Sequence, residues 1–217
     1  MRHILLVIAY ISLAACDSAY YGFWDKLGVQ KRDIMVKRVE SARDAEKDAQ
    51  EQFKSALDHF RAVVNIEGGE LEKRYDALQG QYDKSEERAK AVTKRVDDVH
   101  NVAEDLFKEW QDELGQYQSG ELRAASAKQM KATRQRYDVF MKQMREAEKV
   151  MHPVLAKFHD QVLFLKHNLN AQAVGSLRNE HQRIETDVAK LIEEMEAAIK
   201  HADGFVETLK ADSPPNA

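Results

Sequence analysis

Between Leu71 and Trp110 one pattern repeats without a break. Leu71, Tyr75, Leu78, Tyr82, Ser85, Ala89, Val92, Val96, Val99, Ala103, Leu106 and Trp110 follow one another at spacings that alternate four and three. Ser85 is the only polar member apart from the tyrosine hydroxyls. A period of about 3.5 residues is the seam along which helices wrap one another, and no period-two pattern competes with it.

Three further stretches carry the same seam. The first runs Val39, Ala42, Glu46, Ala49, Phe53, Ala56, Phe60, Val63, with Glu46 the misfit. The third runs from Met130 through Thr133, Tyr137, Phe140, Met144, Ala147, Met151 and Val154 to Phe158. The fourth runs from Leu177 through His181, Ile184, Val188, Leu191, Met195, Ala198, Ala202 and Phe205 to Leu209. Small residues alternate with large ones, so facing helices can interdigitate.

The breaks predict four helices over 30–66, 70–116, 121–167 and 171–210. Gly68 and Gly69 can supply the left-handed turn that ends a helix. Gly115 and Ser119-Gly120 bracket a second turn. The third turn has two candidates, Asn168 to Asn170 and Gly175-Ser176. The first makes the second and third helices equal in length and is preferred. Pro153 removes a backbone donor inside the third helix, which predicts a kink near His152 rather than a stop. Short connections between long helices imply antiparallel neighbours. The expected fold is all-α: a long up-down-up-down four-helix bundle built from coiled-coil hairpins over 30–210. A disordered tail is expected over 211–217.

The N-terminus has a different character. A short positive start precedes the apolar run "ILLVIAYISL", then Ala14, Ala15 and Cys16, the chain's only cysteine. Charged start, apolar core and small residues form a signal-peptide pattern. The run is about half the ~20 residues that a membrane span needs. Leu13-Ala14-Ala15-Cys16 resembles the lipobox of bacterial lipoproteins. That resemblance implies cleavage of a signal over 1–15, acyl chains on Cys16, and an anchored aromatic linker over 16–29. It leaves no thiol for disulfide, redox or metal chemistry. Asp17 resembles the inner-membrane retention signal of enteric lipoproteins. The expected location is the bacterial cell envelope, facing the periplasm, with the inner membrane favoured.

Such an anchor would orient the bundle. The turn at Gly115 to Gly120 would lie near the membrane, and the turns at Gly68-Gly69 and Asn168-Asn170 far from it. The second helix, about ten residues longer than the first, should project its tip toward the bilayer. Tyr20, Tyr21, Phe23 and Trp24 then answer to two arrangements: an interfacial belt, or a plug closing the foot of the bundle. The apolar partners offered by the tip favour the plug.

Three segments, "YYGFWDKLG", "KRDIMVKRVESARDAEKDAQEQFKSAL" and "DQVLFLKHNLNA", together resemble an uncharacterised family of bacterial lipoproteins known as domain of unknown function 2959. The resemblance covers nearly all of the chain after Cys16. It implies a helical, membrane-anchored bacterial protein and carries over no catalytic or binding residue.

Chemistry has little purchase in the rest of the chain. Lys and Arg total 33 against 37 Asp and Glu, and no basic block forms, which argues against nucleic acid as partner. A di-iron bundle needs two Glu-x-x-His pairs, and Asp97…His100 is the nearest approach. His181 lies on a seam, and His152 and His159 lie beside one, at different heights. Structural roles are expected for all three, and no metal or other cofactor. Glu46 is expected to pair with a Lys or Arg of the second helix. No phosphate loop, nucleophile elbow or cysteine nucleophile is present, so an enzyme has least support. The expected role is a scaffold or adaptor that meets an envelope protein through Gly68, Gly69, Lys166, His167, Asn168 and Asn170. The alternative is a chaperone-like binding module for an apolar ligand or unfolded polypeptide.

Overall fold

Helix formation here follows from apolar seams flanked by interspersed charge. The computed structural model describes residues 31–65 and 70–211. It contains α1 (Lys31–Val64), α2 (Leu71–Leu114), α3 (Gly120–His167) and α4 (Ala171–Ala211). Each end lies within two residues of the expected bound. α4 closes just inside the predicted tail. Cys16, Asp17, the Tyr20 to Trp24 aromatics, Gly68 and Gly69 lie outside the described residues.

The helix ends have local causes. Ser119 Oγ accepts a hydrogen bond from Leu122 N–H and starts α3. Asn170 Oδ1 accepts from Ala173 N–H at 3.0 Å and starts α4. Each side-chain acceptor satisfies a backbone donor that the first turn leaves unpaired. Arg61 in α1, Lys166 and His167 in α3, and Lys210 in α4 place positive charge in last turns, where the helix dipole favours it. The third turn lies at Asn168 to Asn170, and α4 runs through Gly175 without interruption. α3 likewise continues through Pro153.

The seams form one core. Every predicted seam position of α1 is buried, Glu46 included. In α3 the positions from Thr133 to Phe158 are buried and Met130 is half-buried. In α4 only His181 departs, being half-buried. In α2 the middle of the seam is buried, whereas Leu71, Tyr75, Tyr82 and Leu106 are half-buried against the core and Trp110 is half-buried near the end of the helix. Phe53, Phe60, Phe140 and Phe158 are fully buried, each stabilising the fold by about 1.5–3 kcal/mol through burial alone.

Each helix packs on the next, and α4 closes back on α1. Paired side chains give the antiparallel registers. α1 meets α2 through Arg38–Asp98, Asp48–Arg88 and the bond from Arg74 to Ala62 C=O. α1 meets α4 through Arg43–Asp203 and Arg61–Glu185. α2 meets α3 through Asp97–Arg145 and Glu104–Arg134, and α3 meets α4 through Lys157–Asp187. On the first register Lys31 lies opposite the neighbourhood of Asp105. α2 therefore continues past the start of α1 by about nine residues, or ~13 Å. The α2–α3 hairpin overhangs the foot of the bundle, as its length predicts.

Candidate functional site

Three places in the bundle depart from an apolar core inside a charged surface: the layer around Glu46, a groove between α2 and α3, and the α3–α4 end.

Glu46 sits on the α1 seam with no solvent exposure. Neither carboxylate oxygen has a hydrogen-bond partner. The expected ion pair to α2 is therefore not formed. The reason is direction: the seam aims Glu46 inward, while Arg88 and Lys90 of α2 pair outward with Asp48 and Glu86. The nearby charge is Glu148 of α3, which Arg145 holds at 2.7 Å. Burial pushes the Glu46 carboxyl up to about 8, and the negative Glu148 adds to the rise. Small buried residues surround this height of the bundle: Ala42 and Ala49 on α1, Ala89 on α2, Ala147 on α3, and Ala198 and Ala202 on α4.

The groove between α2 and α3 has a volume of about 630 Å³. Tyr82, His152 and His159 line it with Lys90, Lys94, Asp97 and Asp98, and Ala89 and Leu155 form its apolar floor. The His159 and Tyr82 rings lie 5.4 Å apart. Asp98 gathers Lys94, Arg95 and Arg38. The Lys94 hydrogen bond, with help from all three cations, holds its carboxyl below the usual range. Below the groove, His100 Nδ1 and the Tyr137 hydroxyl are 3.0 Å apart. Burial pushes that hydroxyl up to about 12.

His181 belongs to neither place. Its ring stacks on Phe60 at 6.0 Å, and its Nε2 is buried without a hydrogen bond. Glu185 Oε1 is 3.4 Å away but not aligned to accept. Among the described residues, no three His, Cys, Asp or Glu side chains converge as metal ligands would.

At the α3–α4 end the structure sorts the predicted contact residues. Asn168 and Asn170 are occupied with the backbone: Asn168 Nδ2 donates to Phe164 C=O, and Asn170 caps α4. Lys166 and His167 stand exposed on the last turn of α3. Beside them Leu163, Phe164 and Leu169 are also exposed, at 46%, 40% and 42%. Leu169 falls inside the predicted turn from Asn168 to Asn170, whereas sequence reasoning passes over Leu163 and Phe164. Their signal is register: Val162 and Leu165 already fill the seam, so Leu163 and Phe164 are surplus apolar residues. At the opposite end Tyr117 and Leu122 are exposed on the overhang, while Phe107 and Leu114 are buried. Trp110 donates to Ser126 Oγ at 2.8 Å, and the Arg32 guanidinium lies over its ring.

A model of the family described as "Protein of unknown function (DUF2959)" matches residues 20–209. The chain belongs to that family. No curated protein and no solved structure matches it. The DUF2959 match spans all four helices, and so takes in the buried carboxyl, the groove and the exposed apolar turn. No described helix is long and apolar enough to cross a membrane.

Proposed function

We propose that this DUF2959 chain is a lipid-anchored adaptor of the bacterial cell envelope. Acyl chains on Cys16 hold it to the membrane, with Asp17 favouring the inner one. The bundle acts as a rigid spacer, and the α3–α4 turn docks a protein partner. One observation carries the docking surface: Leu163, Phe164 and Leu169 stand exposed together, with Lys166 and His167 between them. They occupy the end of the bundle remote from Lys31, and so remote from an anchor at Cys16. Exposed apolar side chains grouped at one site mark interaction surfaces more often than scattered ones do.

A photo-crosslinking residue at Phe164 in cells should give one dominant adduct. The same residue at Val139, exposed on the flank of α3, should not. Leu163→Ser with Leu169→Ser should abolish the adduct. Equal labelling at both positions, or none at Phe164, would remove the adaptor reading. Separately, Cys16→Ser should release the protein from membranes and end fatty-acid labelling.

The α2–α3 groove favours a second reading, a module that binds an apolar ligand or unfolded polypeptide over the Ala89 and Leu155 floor. An apolar fluorescent dye should then bind, and Leu155→Glu should weaken it.

A further inference from the structure

We infer that Glu46 is a proton-binding site whose occupancy controls how tightly α2 and α3 close over the middle of the bundle. The inference is independent of what the α3–α4 end contacts. It rests on a carboxyl with no exposure and no hydrogen-bond partner, set in a layer of alanines. An uncompensated carboxylate in such a place is costly, so the folded bundle holds Glu46 as the neutral acid.

The charged groups around this height do not neutralise it. On α2, Arg88 and Lys90 are engaged with Asp48 and Glu86, and Lys94 with Asp98. On α4, Asp203 is bound by Arg43 and Glu196 accepts from Gln50, while Lys200 and His201 are exposed. On α3, Glu148 faces Glu46 with the same sign. Arg145 is shared between Glu148 and Asp97, and His152 is exposed in the groove. Loss of the proton therefore places two like charges across the core.

The easiest relief lies between α2 and α3. Ion pairs tie the seams that flank α1 near this height, Asp48–Arg88 and Arg43–Asp203, and the α2–α3 seam is tied there by Asp97–Arg145, whose arginine is shared with Glu148. Of the four neighbouring pairs, α2 and α3 pack least closely. Their groove reaches Ala89, which belongs to the same buried layer as Glu46. Ionisation should widen this seam and admit water to the carboxylate.

The sign is fixed by linkage. The unfolded chain releases the Glu46 proton near the ordinary value of 4.5, and the folded chain retains it up to about 8. Between these values the folded state binds more protons, so stability falls as pH rises and levels off above about 8. In urea titrations from pH 5 to 9, the folding equilibrium constant should fall by up to about tenfold per pH unit until about pH 8. Glu46→Gln should remove that contribution. Amides of residues 85–99 and 144–159, corrected for intrinsic exchange, should lose protection between pH 6 and 9 in the parent but not in Glu46→Gln. An unchanged pH slope in Glu46→Gln, or equal loss of protection in both proteins, would overturn the inference. Should Glu46→Gln fail to fold, carbon NMR of the parent decides: a Glu46 titration below pH 6 overturns the inference, and one near pH 8 that Glu148→Gln lowers supports it.

Discussion

At Phe60 and His181, two neighbouring rings make opposite contributions. Phe60 is fully buried and meets Phe158 edge-on at 6.2 Å. Removing its ring leaves a cavity as well as losing transfer energy, so Phe60→Ala should cost about 3–5 kcal/mol in chemical denaturation. His181 places an unpartnered nitrogen against the same ring. His181→Leu should leave stability unchanged or raise it, because an unsatisfied polar atom leaves the core. A large loss in His181→Leu would mean that the imidazole has a partner which its geometry hides. Glu46 shows where residue-level reading ends. Its seam position is visible in the spacing, but its isolation is not. Whether a seam carboxylate reaches a cation depends on the direction of its side chain and on which charge the diagonal helix presents. Both are tertiary properties, and Glu148 lies 102 positions further along the chain.

The helices themselves are legible because a 3.5-residue period is local. Each turn repeats the message, and Gly, Ser and Asn mark the ends. The choice of Asn168 over Gly175 follows from matching the lengths of α2 and α3, an argument about neighbours that needs no coordinates. The capping role of Asn170 is also local. Asn170→Ala should destabilise the protein by about 1 kcal/mol. If the adaptor reading is right, crosslinking from Phe164 should survive that change, provided that the turn keeps its course. Pro153 is the opposite case, a residue that α3 tolerates rather than uses. Pro153→Ala should raise the melting temperature, since an interior proline costs a helix ~3 kcal/mol relative to alanine, part of it already absorbed by packing. A lowered melting temperature would mean that the path of α3 depends on the proline. Leu163 and Phe164 could have been found in the sequence as apolar residues beyond what the seam requires.

Across the whole molecule, one core joins all four helices. Thermal unfolding followed by circular dichroism in the far and near ultraviolet should therefore give coincident single transitions. Two separated transitions would mean that the hairpins α1–α2 and α3–α4 fold on their own. The many surface ion pairs should matter little, because exposed pairs contribute only ~0–1 kcal/mol each and salt screens them. Raising salt to about 0.5 M should shift the melting temperature by only a few degrees. The overhanging end of the α2–α3 hairpin has a different status from the four-helix section. Among the described residues only Lys31 and Arg32 of α1 reach its base, at Glu109 and the Trp110 ring, and beyond them α2 and α3 pack on each other. Equal insertions or deletions of seven residues on both sides of the Gly115 to Gly120 turn would preserve the seam and leave the four-helix layers untouched. The rod thus contains a section whose span evolution can lengthen or trim in heptad steps, like the sliding arm of a gauge, without redesigning the rest.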